Sequence, residues 1–597
     1  MDCFGLLSQK FSSDPTQRAT VASLTRPLRM FCNRLLALLA LIATTGALPQ
    51  TRGEDATISL LDISQSIGIT APVTFGDRDK SRYIMETTGV GTAVFDFDGD
   101  GDNDVLVANG ITLQQQRSGE GEPSMLYQND GAGKFIDVAR EAGLGKAGWA
   151  QGVCVGDYDN DGAPDVLITY HGTDTLYRND GAGKFVDVTA EAGLPAEGVR
   201  WGSGCAFLDF DNDGYLDLFI ANYVDMTIDE MPEPGSSAGC YWKSLPVFCG
   251  PRSLPKARNW LYRNRGDGTF EDVSGPAGIL EAGKRFALGV VAADFNNDGL
   301  IDIYVACDQT PSLLYENQGD GRFKERGVEA GVAYNFHGAL QAGMGVAVAD
   351  YDGNGFLDIV KTNFQGDLPS LYVNEDGVFY EDLSQVAGLG ANKFLGWGAL
   401  FQDFDADGAP DLLMAHGHIY PDIDQADIGE SYRQPTVLYR NLRNGRFEDV
   451  TATSGPGLAT ARPARGMASG DLDGDGRPEV VIVNLNEPPT VLRNQGRQGA
   501  FLSLRLEGRE SNRSAIGARV EVEAGGNKQI QDVTGGGSYY SQSDLALYFG
   551  LGDATIVDRI AVRWPSGNRQ TFEDVAVNSR YALIEGEDLS NYPTDQR

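Results

Sequence analysis

The 597-residue sequence predicts an all-β fold, a seven-bladed propeller followed by a smaller β-rich C-terminal domain. Three observations lead there. An acidic nonapeptide recurs seven times: DFDGDGDND at 96–104, DYDNDGAPD at 157–165, DFDNDGYLD at 209–217, DFNNDGLID at 294–302, DYDGNGFLD at 350–358, DFDADGAPD at 403–411 and DLDGDGRPE at 471–479. A second motif, L-Y-x-N-x-x-G-x-F, follows each of them, from LYQNDGAGKF at 126–135 to the degenerate VLRNQGRQGAF at 491–501. The first acids lie 61, 52, 85, 56, 53 and 68 residues apart, so the basic unit of 52–56 residues has the length of a four-stranded blade rather than of a helical repeat.

Each part of the unit has its own local reason. A β-branched or apolar run follows every acidic loop (VLVA, VLIT, LFIA, IYVA, IVKT, LLMA, VVIV), as expected of a buried strand. The N-x-x-G-x-F segments supply the Gly turns of hairpins. Glycines precede each acidic loop, as at Trp201-Gly202-Ser203-Gly204, where small residues let inner strands crowd an axis. Residues 60–69 match the end of a unit without its hairpin, so ring closure is expected between this first strand and the last blade near Val480–Asn494.

Composition sets the outer limits. At 41% apolar and 22% charged residues the chain belongs with folded proteins, and its length suits about two to four domains. A formal charge of −36 argues against nucleic-acid binding. Arg26, Arg29 and Arg34, the apolar run 35–42 and small residues ending at Ala47 have the anatomy of a secretory signal. Signal region 1–47, linker 48–58, propeller 59–500, C-terminal domain 501–588 and tail 589–597 are the expected divisions, and the mature protein is expected to be exported without a membrane span. Of the five cysteines left after cleavage, Cys240 and Cys249 share the longest insertion, and a disulfide between them is expected in an oxidising compartment.

The acidic loops point to a metal. D-x-D-x-D-G-x-x-D offers side-chain oxygens at positions 1, 3, 5 and 9 and a carbonyl at 7, with Gly at 6 for the turn. The candidate ligands are Asp96, Asp98, Asp100, Asp102 and Asp104 in loop 1; Asp157, Asp159, Asp161, Ala163 and Asp165 in loop 2; and Asp209, Asp211, Asp213, Tyr215 and Asp217 in loop 3. Loops 4 and 5 offer Asp294, Asn296, Asp298, Leu300 and Asp302, then Asp350, Asp352, Asn354, Phe356 and Asp358. Loops 6 and 7 offer Asp403, Asp405, Asp407, Ala409 and Asp411, then Asp471, Asp473, Asp475, Arg477 and Glu479. Oxygen-only ligation favours Ca²⁺, and up to seven ions would bring the formal −36 to −22. Asn296, Asn354 and Glu479 depart from the pattern and mark weaker loops.

These repeats resemble the FG-GAP/VCBS repeats of integrin-α-type propellers. Further on, Asn512-Arg513-Ser514-Ala515-Ile516-Gly517, Gly536-Gly537-Ser538-Tyr539-Tyr540-Ser541-Gln542-Ser543-Asp544 and Trp564-Pro565-Ser566-Gly567 resemble the ASPIC/UnbV domain. Together they are similar to the cartilage acidic protein family over about residues 59–588, without a cysteine-rich tail. The resemblance implies an extracellular calcium-binding interaction protein and no reaction. Alternation in 501–506, 518–522, 560–564 and 581–584 independently marks the C-terminal domain as β, with Tyr539 and Tyr540 expected to pack rather than to bind sugar.

Catalytic signatures are wanting. The sequence has no G-x-S-x-G, Walker A or H-E-x-x-H, and His416-Gly417-His418 lacks a third ligand. The expectation is a secreted, non-enzymatic calcium propeller that binds a protein or glycan; the alternative is an enzyme or biosynthetic accessory with its site in the propeller channel or C-terminal domain. From first Asp to hairpin Asn the span is 22–24 residues in blades 2, 4, 5 and 7, but 33, 55 and 38 in blades 1, 3 and 6. These insertions share one connection, so they emerge on one face, where a partner is expected near Gln114–Arg117, Tyr241, Trp242, Phe248, Tyr420, Asp422 and Tyr432; the alternative for the aromatics is packing as a cap over the propeller mouth.

Overall fold

The computed structural model describes residues 58–592 apart from 391, 392, 427 and 498. The expected signal region lies outside them, as does the linker up to residue 57. Among the described residues, no helix is long and apolar enough to cross a membrane.

Seven antiparallel blades run in chain order. In blade 1, Thr92–Phe95, Asp104–Val107, Met125–Asn129 and Phe135–Asp137 pass from the inner edge outward. The seventh blade takes its outer strand from the other end of the chain: Leu60–Asp62 pairs with Leu492–Asn494 and closes the ring. Strands such as Val105–Val107 are buried on both faces because each blade packs between two others, so their apolar runs are continuous rather than alternating. The inner glycines are steric necessities. A Cβ at Gly152 would collide with Ser203 O of the next blade, and one at Gly345 with Trp397 O.

The C-terminal module has two four-stranded sheets. One runs Leu547–Gly552, Ala500–Glu507, Ser579–Ile584, Ser590–Asn591; the other runs Asn527–Asp532, Arg519–Ala524, Val557–Arg563, Arg569–Val575. Leu504, Val522, Phe549, Ile560 and Trp564 are buried in its core. Ser590–Asn591 pairs with Tyr581–Ala582, so a strand occupies what the sequence assigned to a tail from 589.

From this module a segment reaches into the propeller axis. Gly535–Gly536 adds a strand to Val291–Ala292 of blade 4. Ser538 O accepts from Val346 N, Tyr540 O from Val153 N and Gln542 O from Val94 N, while Asp544 N donates to Ser469 O. The plug thus satisfies inner edges that a propeller otherwise leaves bare. Tyr539 and Tyr540 stack at 3.9 Å and are fully buried, with Trp397 against Tyr539. They pack.

The inserted connections leave from the ends of the blades opposite the acidic loops, because successive strands are antiparallel. Of the two expected arrangements the aromatics take the packed one: Phe248 and Tyr420 are buried and meet at 4.8 Å, and Trp242 lies against His418 and Tyr420. Trp242 Nε1 donates to Glu430, tying the blade 3 insertion to that of blade 6 as a cap over the far mouth. Tyr241 remains half-exposed. Cys240 and Cys249 form a disulfide within this cap, and Cys154, Cys205 and Cys307 are buried free thiols.

Candidate metal centre

Loop 2 shows how each acidic nonapeptide is held. Asp157 accepts from Asp161 N at 3.0 Å and Gly162 N at 2.8 Å, folding the loop around its first carboxylate. Gly162 has φ +99°, a conformation that L residues with a side chain rarely adopt. Asp165 is fully buried, and its two oxygens accept from Tyr158 N and Asn179 N at 3.1 and 2.8 Å. Asp161 accepts from Ala163 N, so position 5 caps the loop's own backbone.

Positions 1, 3 and 9 converge. In Asp96/Asp98/Asp104, Asp157/Asp159/Asp165, Asp209/Asp211/Asp217, Asp350/Asp352/Asp358 and Asp403/Asp405/Asp411, one oxygen from each residue lies within 4.8 Å of the others. These sets can hold a metal ion. The same atom is left over in four of them: Oδ1 of Asp98, Asp159, Asp211 and Asp405 is buried and has no hydrogen-bond partner. A buried carboxylate oxygen without a partner costs free energy unless a cation meets it. Without an ion, burial first and neighbouring carboxylates second push Asp209 up to about 7, while burial pushes Asp157 to about 7 and Asp358 to about 8.

Of the three loops expected to be weaker, 4 and 7 are arranged differently. In loop 4, Asn296 stands at position 3 and Arg563 of the C-terminal module meets Asp294 Oδ2 at 2.5 Å. In loop 7, Arg493 spans Asp473 at 2.7 Å and Glu479 at 3.0 Å, and Arg580 approaches Asp471 at 3.4 Å. Arg263 also reaches Asp211 in loop 3, but on Oδ2, leaving Oδ1 free. Loop 5 keeps its three carboxylates, and Asn354 at position 5 accepts from Phe356 N as the aspartates do elsewhere.

A structural role of the hairpin Asn escaped the sequence reading. Asn179 Nδ2 donates to Phe97 O in the preceding blade's loop, Asn264 to Tyr158 O, Asn317 to Phe210 O, Asn374 to Phe295 O, Asn441 to Tyr351 O, Asn494 to Phe404 O and Asn129 to Leu472 O. Each blade is thereby latched to the loop before it, around the whole ring. The signal was present: this Asn stands in all seven hairpins, the degenerate one included.

The two histidines of the His416-Gly417-His418 segment are held by the main chain. His416 Nδ1 meets Pro435 O and His418 Nδ1 accepts from Tyr420 N; burial pushes both down to about 4.

With this geometry in view, comparison with known proteins is specific. The FG-GAP-like repeat description matches residues 96–168, 157–220, 247–305, 294–360 and 403–482. The chain belongs to the FG-GAP-like repeat family. ASPIC and UnbV matches residues 508–590, the module that supplies the plug. Cartilage acidic protein 1 of Mus musculus is 26% identical over 417 residues, covering 66% of this chain and 55% of that protein. The Homo sapiens protein is 26% identical over 414 residues, covering 66% and 54%. The chain therefore spans about half the length of these curated relatives. A solved structure of BBS1N in complex with ARL6DN, soaked with mercury, aligns with a TM-score of 0.38 and 9% identity over 73% of this chain and 96% of that one, too low to carry any argument.

Proposed function

We propose that the chain is an exported, calcium-stabilised binding protein that engages a protein or glycan without catalysing a reaction. The observation that carries the calcium reading is the repeated orphan: the same oxygen of position 3, buried and unpartnered in loops 1, 2, 3 and 6. All-oxygen donors in a wrapped loop suit Ca²⁺, a hard ion tolerant of irregular geometry. On this reading positions 1, 3 and 9 hold the ion, with position 5 and the carbonyl of position 7 beside it. Loops 1, 2, 3, 5 and 6 are the principal sites, and loops 4 and 7 carry guanidinium contacts in compensation.

The basic-then-apolar N-terminal segment and the Cys240–Cys249 disulfide support export. For a macromolecular partner we assign the outer side of the cap, where the blade 3 and blade 6 insertions meet and Tyr241 is half-exposed. Calcium at about 100-fold excess over Kd adds about 2.7 kcal/mol per independent site. The test is thermal melting with calcium against chelator: a large rise in Tm is expected, and equal values would overturn the reading.

A further inference from the structure

Sheet edges are short or covered nearly everywhere in the molecule. The outer strand of each blade is three residues long, too short to template a further strand. In the C-terminal module, Gln529 Nε2 donates to Gly550 O at 2.7 Å and Gln531 Nε2 to Tyr548 O at 2.6 Å. The edges Asn527–Asp532 and Leu547–Gly552 therefore face each other through side chains, and Ser590–Asn591 is only two residues long. Arg569–Val575 is the exception. It has seven residues, neither Gly nor Pro, and bonds to Val557–Arg563 on one side. On its other side, among the described residues, no hydrogen bond reaches its main chain.

The side chains of this strand alternate. Arg569, Thr571 and Glu573 are exposed on one face, while Gln570 and Phe572 are half-buried on the other. Gln570 is fixed inward, its Oε1 accepting from Trp564 Nε1 and Gly586 N. Among the described residues neither outward charge has a counter-charge. Arg569 stands opposite Arg563, whose guanidinium meets Asp294. Glu573 stands opposite Arg559, which meets Glu521 and Glu523 at 3.1 Å each.

We infer that Arg569–Val575 is the contact through which two copies of this chain pair, edge to edge and antiparallel, about a two-fold axis at Thr571. Both copies then present the same strand, as a closed two-fold contact requires. That register sets Arg569 of each copy against Glu573 of the other, Gln570 beside Phe572, and Thr571 beside its own counterpart. Opposite charges and Thr–Thr pairs are favourable across strands. A centre at Gln570 or Phe572 would lose both ion pairs, so the charges fix the register. Charges on an edge ordinarily keep strands apart. Here opposite signs four residues apart on one face admit a partner that presents them in reverse order. Neither calcium nor the cap takes part. One strand per copy buries less than the about 1,200 Å² of a standard interface, so the dimer is weak and forms with rising concentration.

The test is sedimentation of the full chain at physiological salt, up to about 0.5 mM, where a monomer–dimer equilibrium is expected. Arg569→Glu and Glu573→Arg each leave one sign at both positions, and each is expected to weaken self-association about tenfold or more. An equimolar mixture of the two variants is expected to restore it, because every charge then meets its opposite. Hydrogen exchange of the 569–573 amides is expected to slow as the unaltered chain associates, a readout that stands even if a variant does not fold. A chain that stays monomeric over the whole range overturns the inference. So does a dimer that both variants retain, a mixture that fails to recover association, or exchange at 569–573 that association leaves unchanged.

Discussion

Loops 2 and 7 have nearly the same sequence pattern and opposite electrostatics. In loop 2, Asp159 Oδ1 is buried with nothing to meet it. In loop 7, Asp473 accepts from Asp475 N and meets Arg493, which also holds Glu479. Loop 4 resembles loop 7 in outcome but obtains its guanidinium, Arg563, from the C-terminal module. The difference separates two jobs that the nonapeptide performs. Positions 1 and 9 organise backbone in every loop, whatever the charge balance; a guanidinium set between the carboxylates, or its absence, separates the loops that need a cation from solution.

The largest expected effect tests the shared job. Asp217→Ala in loop 3 leaves Phe210 N and Asn264 N without an acceptor, and Asp302→Ala in loop 4 does the same to Phe295 N and Asn317 N. Each should cost about 2–6 kcal/mol in chelator, two buried donors at about 1–3 each, measured by urea unfolding; in calcium Asp302→Ala should cost the same, while Asp217→Ala loses the ion's contribution as well. A cost seen in calcium alone would break the distinction. Next comes Asp159→Asn, which should remove about 2.7 kcal/mol of stabilisation in excess calcium and almost none in chelator. Asp473→Asn in loop 7 should show no such calcium-dependent part. A third variant sharpens the contrast by conversion. Asn296→Asp with Arg563→Met restores the third carboxylate and removes the guanidinium, so calorimetric titration should count one additional calcium site.

The smallest effect concerns the far mouth, which holds no acidic loop. His416 and His418 are kept neutral by burial, with values lowered to about 4 from about 6.5. A histidine whose folded value is depressed contributes stability that is complete above about pH 6.5 and is lost as pH falls toward 4. One pH unit below 6.5 the loss is about 1 kcal/mol per histidine. Fluorescence of Trp242, 5.7 Å from the His418 ring, should report the cap loosening in that window; an unchanged signal down to pH 5 contradicts it.

The blades were legible because their information is local and repeated: spacing, strand runs and Gly turns recur in register, and closure by Leu60–Asp62 followed from an unmatched final strand. The plug was not. Gly535–Asp544 reads locally as a glycine turn and a polar stretch, and its meaning comes from pairing with the inner strands of five different blades, far away in the chain. The aromatic residues of the insertions left recognition and capping both open for a similar reason. Trp242, Phe248 and Tyr420 belong to different connections, and only the closed ring brings them together as a small core. Likewise Arg563 lies 269 residues from the Asp294 it meets, a distance over which loop sequence says nothing about charge balance.

The central claim is that the acidic loops hold calcium, and that guanidinium groups among the carboxylates of loops 4 and 7 take its place there. Counting bound calcium per chain by equilibrium dialysis tests it most directly. The account predicts about five tightly held ions, one for each of loops 1, 2, 3, 5 and 6. No bound calcium would contradict the claim altogether, and seven equivalent ions would contradict the role given to the arginines at loops 4 and 7.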